Sequence, residues 1–256
     1  MGTTSSDVRR MWVATEHVHL VTYFAPEAMA AYAAEGITGF WRGYFGGRSA
    51  PMGAVGPGTV VATFFGFHPG FVARAVPDVW ERAAPGRWLA ARSAGSADAL
   101  RSVVDLDDTE LAPVTEALLD AARGASASGR PLFAANLDVG IPEDPVAALW
   151  QACTLWREHR GDGHVAVLTA AGLDGCESHV LRLAVAGGDG ALMRAARGWS
   201  DDDWSDATDR LASRGLLAAD GSATDAGRRE VADIESVTDR LATQPVDDLG
   251  PSGVEE

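Results

Sequence analysis

The feature that most limits the fold of this chain is the helical spacing of its apolar residues, which dominates the 256-residue sequence. Apolar residues that recur every three or four positions share one face of an α-helix. No series of alternating apolar and polar segments joined by hairpin turns recurs along the chain. The sequence therefore predicts an all-α protein.

Glycine, proline and capping residues mark where the predicted helices begin and end. The pattern predicts a first helix over residues 8–24 and a long helix over residues 146–160. Gly161 and Gly163 can release the backbone after the long helix, and Asp162 between them can cap a following helix. We therefore expect a break in the chain direction at this point.

The C-terminal part of the chain differs from the rest. Ser200 and Asp203 have the spacing of a capping box, which opens a new helix. We therefore predict a helical ligand-binding domain over residues 1–198 and a winged-helix-like unit over residues 199–243. Residues 244–256 contain two prolines, two glycines and four acidic residues, and we expect a flexible acidic tail there.

Acidic residues outnumber basic ones by 36 to 21, which gives a formal net charge of −15. All 21 basic residues are arginine, because the chain contains no lysine. Such a surface repels polyanions unless positive charge is concentrated locally. The composition therefore disfavours DNA as a partner, without excluding it, and disfavours an anionic membrane.

The cysteine content and the lack of long apolar stretches indicate where the protein resides. Cys153 and Cys176 are the only cysteines, too few for a disulfide framework, and they lack the spacing of a zinc or redox motif. No stretch of 18 uncharged apolar residues occurs. We expect a cytoplasmic protein without a membrane span.

The order of motifs near the C-terminus is typical of a known DNA-binding unit. A helix is followed by Arg214-Gly215-Leu216-Leu217, by Asp220-Gly221 and by a second long helix. This order resembles the second half of a winged helix-turn-helix of the multiple-antibiotic-resistance regulator type. That resemblance implies that the first of these helices enters the major groove. However, residues 199–243 hold 5 arginines against 11 acids, so we expect this unit to serve packing or dimerisation, with Arg228 and Arg229 as a small basic spot.

Seven further motifs are spread along the chain. They are Glu16-His17-Val18-His19, Tyr23-Phe24-Ala25-Pro26-Glu27, Arg48-Ser49-Ala50-Pro51-Met52-Gly53, Ala62-Thr63-Phe64-Phe65-Gly66-Phe67, Gly129-Arg130-Pro131-Leu132, Trp156-Arg157-Glu158-His159-Arg160-Gly161-Asp162-Gly163-His164 and Arg197-Gly198-Trp199. With these motifs the chain resembles, over about residues 10–250, an actinobacterial family of helix-turn-helix domain proteins. The resemblance implies a fold but assigns neither a reaction nor a ligand.

Four of the six histidines lie in two short clusters with carboxylates, which is the strongest functional signal in the sequence. The clusters contain Glu16, His17 and His19, and Glu158, His159, Asp162 and His164. On a helix Glu16, His19 and Tyr23 share one face. His17 points with apolar residues, so we expect it to be more buried than His19.

These clusters supply candidates for catalysis and for ligand binding. Acid–base chemistry needs a histidine and a carboxylate within hydrogen-bond reach. The catalytic candidates are His19, His159, Glu16 and Asp162. Arg157 and Arg160 can clamp a ligand carboxylate or phosphate. The full set of ligand-binding candidates is Arg157, Arg160, His17, His164, Tyr23 and Arg48.

Two other interpretations of the clusters stay open. Arg157 and Arg160 can pair with Glu16 and Glu158, which would lock two helices together through a buried polar network. Two or three of the four histidines with Glu16 or Asp162 would suit zinc or iron, although the spacing lacks the helix-borne His-Glu-x-x-His motif. The sequence assigns neither a metal nor a cofactor.

The sequence thus supports three hypotheses about function. The first is a helical protein that binds a small organic ligand, with or without catalysis, in a pocket whose apolar wall comes from the aromatic and glycine-rich residues 41–71. The second is a ligand-responsive winged helix-turn-helix transcriptional regulator that acts as a homodimer. The third is a structural or interaction protein with a buried polar network.

Overall fold

The computed structural model describes residues 3–103 and 107–255. These residues form α-helices without any β-strand, so the predicted all-α class is confirmed. In chain order the helices are α1 (Ser5–Phe24), α2 (Pro26–Ala34), α3 (Phe40–Ser49), a 3-10 helix (Ala50–Met52), α4 (Pro57–Phe64), α5 (Pro69–Val72), α6 (Asp78–Arg82), α7 (Pro85–Val103), α8 (Asp108–Gly124), α9 (Pro131–Asp138), α10 (Pro145–Ala170), α11 (Gly175–Ala186), α12 (Gly190–Arg197), α13 (Asp201–Ser213), α14 (Asp225–Leu241) and α15 (Thr243–Glu255).

The chain divides into two compact units. Unit 1 comprises Met1–Gly56, Ala75–Gly163 and Asp239–Glu256, and unit 2 comprises Pro57–Arg74 and His164–Thr238. The predicted boundary after residue 198 differs from this division, because it falls inside unit 2.

Unit 1 is built around large aromatic side chains that are almost fully buried. Trp88, Trp150, Phe45 and Phe133 each expose about 1% of their surface or less. Both indoles keep a hydrogen bond inside the core, since Trp88 Nε1 donates to backbone carbonyls and Trp150 Nε1 donates to the His19 carbonyl. A buried indole therefore loses no hydrogen bond on folding.

The glycines of α3 are explained by close packing rather than by turns. A Cβ atom at Gly46 would lie 2.5 Å from the Trp88 ring, and one at Gly47 would lie 2.1 Å from the Tyr32 hydroxyl. Neither glycine has a positive φ angle. Residues this small let α3 approach the aromatic core of unit 1.

The helix α10 runs without interruption from Pro145 to Ala170, so the predicted break after residue 160 is wrong. Gly161 and Gly163 do not turn the chain. A Cβ atom at Gly163 would lie 2.7 Å from Arg130 Nη1, so this glycine leaves room for a guanidinium group. Asp162 accepts hydrogen bonds at 2.9 Å from the amides of Leu132 and Phe133, at the start of α9 rather than of its own following helix.

The residues after 243 form a helix in place of the predicted flexible tail. In α15, Val246 is 2% exposed and belongs to an apolar cluster with Leu118 and Leu119 of α8. Gly250, with φ 74° and ψ 170°, interrupts this helix. Burial of apolar side chains explains why residues 243–255 form a helix although Asp247 and Asp248 are charged and exposed. Residue 256, the last of the predicted tail, lies outside the described residues.

Unit 2 has its own apolar core. Its largest members are Val167, Leu168, Leu173, Val180, Leu181, Leu211, Leu216, Leu217 and Ile234. A capping box of Asp174 and Glu177 begins α11. An isolated antiparallel bridge joins Leu217 and Ala223 around a turn at Gly221, whose φ is 80°. No wing strands form in the part of the chain that is described, and the winged-helix assignment stays a prediction.

None of the helices in the described ranges combines the length and the hydrophobicity that crossing a bilayer requires. The cytoplasmic location stays a prediction.

Replacing Gly46 by Ala should destabilise unit 1. The added methyl would overlap the buried Trp88 ring, and overpacking of this kind costs about 1–3 kcal/mol. Gly86→Ala is the matched control, since nothing lies within 4 Å of a Cβ atom there. Urea denaturation should show a lower midpoint for Gly46→Ala and a change within about 1 kcal/mol for Gly86→Ala. Equal midpoints for the two variants would contradict this packing account.

Candidate functional site

A buried carboxylate organises the polar interior of unit 1. Glu158 on α10 is 1% exposed and accepts two hydrogen bonds from Arg48 on α3, at 3.0 and 2.9 Å. Arg157 Nη1 donates to the same carboxylate at 2.7 Å, and Arg157 Nε donates to Glu16 on α1 at 3.3 Å. We call Glu16, Arg48, Arg157 and Glu158 the Glu158 network. It connects three helices, and the predicted pairing of Arg157 with both glutamates is present.

The charge of Glu158 depends on its two arginines. Burial by itself raises the pKa of the Glu158 carboxyl, but the positive charges of Arg157 and Arg48 outweigh it and lower that pKa far below its ordinary value. Glu158 is therefore ionised at neutral pH. An ion pair of this kind is strongly disturbed when one partner is removed.

His19 lies beside the Glu158 network as a neutral imidazole. Burial lowers the pKa of His19 well below its ordinary value, and the positive charge of Arg157 lowers it further. The Thr154 hydroxyl donates to the Trp150 carbonyl at 2.9 Å, so the Thr154 oxygen accepts from His19 Nδ1 at 2.9 Å. His19 Nε2 then carries no proton and accepts from the Tyr23 hydroxyl at 3.0 Å. Tyr23 is thus held with its oxygen in a fixed position.

The relative burial expected for His17 and His19 is wrong. His19 is 2% exposed, whereas His17 is exposed and its Nδ1 lies 2.7 Å from the Val13 carbonyl of the same helix. The buried face of α1 runs through Met11, Thr15 and His19 and is partly polar, whereas Val13 is 45% exposed. Apolar character alone therefore does not identify the inner face of this helix.

Two cavities adjoin this polar interior and share Thr22, Tyr23 and Tyr32 in their linings. The larger, which we call the apolar chamber, has a volume of about 200 Å³. Its other wall residues include Met29, Ala33, Ile37, Phe40, Gly43 and Tyr44. The smaller, the polar niche, has about 10 Å³ and is also lined by His19, Gly47, Arg48, Arg92, Trp150 and Glu158.

The second predicted cluster does not join this site as one group. His159 is buried, stacks edge-on against Phe133 at 4.9 Å and lines neither cavity. Asp162 holds the amides of α9, and burial raises its pKa to about 6. Arg160 pairs with Asp239 at 3.2 Å and lies over the Trp12 ring. These three residues contact other parts of unit 1, and the catalytic roles assigned to His159 and Asp162 and the ligand-binding role assigned to Arg160 stay predictions.

His164 belongs to unit 2, where its Nδ1 lies 3.0 Å from the Thr238 hydroxyl oxygen. Within residues 3–103 and 107–255, no three His, Cys, Asp or Glu side chains are grouped so that they could hold a metal ion. The metal interpretation therefore gains no support from the geometry.

Sequence reasoning missed Arg92, Thr22 and Tyr32, which line the polar niche. Arg92 is 4% exposed and lies on the buried face of α7 with Trp88 and Ser96. The sequence does contain a signal for Arg92, because its helical spacing places it on the same face as apolar and small residues. A charged side chain is almost never buried unless it is paired, so an arginine on such a face indicates a buried polar contact.

A second candidate site lies in unit 2, where two helices meet at a tight turn. The eight-residue α12 ends at Gly198, whose φ of 77° and ψ of 14° are left-handed, and α13 begins at Asp201. Ser200 and Asp203 form the predicted capping box at the start of α13. Trp199 Nε1 donates to the Gly66 carbonyl at 3.0 Å, which anchors the turn. Two helices joined by a three-residue turn containing glycine have the connection typical of a helix-turn-helix.

Comparison with known proteins agrees with this geometry. A family model described as Helix-turn-helix family matches residues 8–256, so the chain belongs to this family. No curated protein and no solved structure matches the chain. Because helix-turn-helix proteins are DNA-binding proteins, the expectation that DNA is a disfavoured partner is wrong. That expectation rested on the net charge of residues 199–243, which does not describe how the helices are arranged.

Replacing Glu158 by Gln should destabilise the protein strongly. The substitution leaves Arg48 and Arg157 buried without a shared carboxylate, and breaking a buried pair costs about 3–5 kcal/mol. Asp120→Asn removes an exposed carboxylate that pairs with Arg123 at 3.4 Å, and such surface pairs contribute about 0–1 kcal/mol. Urea denaturation of both variants tests this. Similar losses for the two would show that the network does not organise unit 1.

His159 should make the stability of the protein depend on pH. Burial lowers the pKa of His159 to about 3, so the unfolded chain binds a proton on this residue that the folded protein does not bind. With respect to His159, the free energy of unfolding is therefore highest above the ordinary histidine pKa of about 6.5. It decreases as the pH falls from there toward 3, because the unfolded chain gains a proton that the folded protein does not bind.

The stability difference between the wild type and His159→Leu should therefore change by about 1.4 kcal/mol per pH unit between pH 6 and pH 4. Asp162, whose raised pKa acts in the opposite direction, is common to both proteins and cancels in the difference. Leu155→Ala, which opens a cavity without removing a titratable group, should keep the wild-type slope. A pH-independent difference for His159→Leu would contradict the assignment.

Proposed function

We propose that this protein is a ligand-responsive transcriptional regulator that binds DNA through α12 and α13. The observation that carries this proposal is the geometry of the turn, in which an eight-residue helix, a left-handed Gly198 and a capped thirteen-residue helix follow one another. Membership of the helix-turn-helix family supports it. The bridge between Leu217 and Ala223 lies where a winged helix-turn-helix has its wing, so we assign a minimal wing there.

The exposed face of α13 determines how such a protein would recognise DNA. In a helix-turn-helix the second helix enters the major groove and its N-terminal residues contact base edges. On α13 the exposed residues at that end are Asp201, Asp202, Ser205 and Asp206, and Asp209 is exposed further along the helix. Aspartate accepts hydrogen bonds from the cytosine amino group and serine bonds to several bases. The helix is therefore suited to recognition of bases and poorly suited to general attraction to phosphate.

Positive charge near the turn is already engaged in holding the motif together. Arg194 on α12 pairs with Asp201 at 2.9 Å and lies over the Trp204 ring. Arg210 pairs with Asp174 and Glu177 of the α11 capping box, and Arg214 donates to two backbone carbonyls. Arg182 and Arg229 are exposed, and we assign phosphate contacts to them.

The apolar chamber and polar niche of unit 1 are the ligand site of this proposal. The chamber has a volume of about 200 Å³, which is below the roughly 300 Å³ at which the range for small-molecule pockets begins, so it is suited to a ligand smaller than a drug-sized molecule. The polar niche shares three lining residues with it. Tyr23 and Arg48, both ligand-binding candidates from the sequence, line these cavities. His19 orients Tyr23 through its hydrogen bond.

Selection from a library of randomised DNA duplexes at about 50 mM salt tests the DNA-binding part. The wild type should enrich a defined sequence containing G·C pairs, because the carboxylates of α13 accept from cytosine. Asp206→Asn combined with Asp209→Asn should bind all duplexes more tightly, since repulsion of phosphate falls, while discrimination of the enriched sequence from random DNA drops at least tenfold.

Asp98→Asn is the matched control, because it removes an exposed carboxylate from α7 in unit 1. It should leave the enriched sequence and the discrimination unchanged. If the wild type enriches no sequence after repeated rounds, DNA recognition by α13 is refuted.

A further inference from the structure

We propose that the cavities of unit 1 bind a small organic monoanion, a carboxylate on a ring-sized apolar body, with its charged group beside Arg92. This inference rests on the proposed function, for which it specifies the chemical class of the ligand. The apolar body would occupy the chamber next to Ile37 and Phe40.

The first argument is that Arg92 is a buried cation without a carboxylate partner. Its Nη1 donates to the Gly47 carbonyl at 3.1 Å, and its Nη2 lies 2.9 Å from Asn136 Oδ1 and 3.4 Å from Gln151 Oε1. In the described part of the chain no carboxylate lies within 4.0 Å of its guanidinium nitrogens. Its other partner is the Trp150 ring, 5.2 Å from Cζ. Three hydrogen bonds occupy three of the five N–H donors of a guanidinium.

The Glu158 network cannot supply the missing negative charge. Glu158 is shared by Arg48 and Arg157, and Glu16 pairs with Arg157. Together with Arg92, the Glu158 network therefore comprises three cations and two anions. Burial lowers the pKa of Arg92, yet an arginine side chain remains protonated in proteins. One further negative charge would balance the interior.

The second argument is that the polar niche has room and donors for one small charged group. Its volume of about 10 Å³ corresponds to about one water-sized probe. Thr22 is 4% exposed, and its hydroxyl contacts Tyr32 without a hydrogen bond of normal length and angle. Thr22, Tyr32 and Arg92 all line this niche. A ligand oxygen in the niche would give the Thr22 hydroxyl an acceptor at normal hydrogen-bond geometry.

The third argument is the size and character of the apolar chamber. An enclosed apolar cavity of about 150 Å³ is large enough for benzene. The chamber, with about 200 Å³, therefore fits a six-membered ring or a branched chain of similar size. Met29 is 46% exposed and Phe40 is 38% exposed, so these two lining residues lie at the solvent side of the chamber.

The charge balance also excludes other classes of ligand. A phosphate ester carries nearly two negative charges, one more than Arg92 requires. A neutral amide of the same shape would leave Arg92 unbalanced. A monocarboxylate supplies the single negative charge, and one of its oxygens is similar in size to the water-sized space in the niche.

Titration calorimetry of the full chain tests the proposal without DNA. The probes are cyclohexanecarboxylate and benzoate, with benzamide as the neutral isostere. At least one of the carboxylates should bind, with a Kd at least tenfold lower than that of benzamide. Arg92→Met should remove this preference. Absence of binding by either carboxylate, or equal binding of carboxylate and amide, would overturn the proposal.

Ala33→Phe tests the location of the site independently of Arg92. Ala33 is exposed and lines the chamber, so a phenyl group can fill the chamber from the rim while the core stays intact. Ala34→Phe is the matched control, since Ala34 is also exposed but lines neither cavity. Carboxylate affinity should fall at least tenfold in Ala33→Phe and stay within twofold in Ala34→Phe. Equal affinities in these two variants would place the ligand elsewhere and refute the site.

The two proposals can fail separately. Carboxylate binding without DNA enrichment would refute the regulator and leave the ligand site standing. DNA enrichment without carboxylate binding would refute the ligand class alone.

Discussion

The ion pairs around Glu158 are the interaction on which the interior of unit 1 depends. One carboxylate that is almost fully buried accepts hydrogen bonds from Arg48 and Arg157, and Arg157 extends the contact to Glu16, so that α1, α3 and α10 are held in one arrangement. Buried ion pairs often add little net stability, because desolvation offsets the attraction. Their effect here is to fix where the neighbouring polar groups lie, including the neutral imidazole of His19 and the hydroxyl of Tyr23.

The helical spacing of apolar residues predicts the all-α class. It does not predict which face of each helix is buried. On α1, the apolar neighbours of His17 predict that it is more buried than His19, whereas the helix buries His19 through contacts with Thr154 and Trp150 on α10. Those contacts join residues about 130 positions apart, so the local spacing of apolar residues does not reveal them. For the same reason Gly161 and Gly163 predicted a break in α10, although Gly163 only makes room for Arg130.

The turn between α12 and α13, to which we assign the helix-turn-helix, can be recognised in the local sequence. Gly198 follows a short helix, and Ser200 caps the next one. The net charge of residues 199–243 is a property of the whole segment, and it disfavours binding to DNA. Net charge bears on association and solubility rather than on fold. Arg194 and Arg210 are both paired with carboxylates of unit 2, so positive charge in this segment stabilises the fold.

Gly43 has a consequence for how related proteins can diverge. It lies in the wall of the apolar chamber, and a Cβ atom there would come within 3.2 Å of the Tyr32 ring. Each carbon added at this position would reduce the chamber volume, while the ion pairs around Glu158 would keep the charged end of the cavity unchanged. At the ligand site that we propose, selectivity for the size of the ligand would therefore change through one residue on α3, separately from selectivity for its charge.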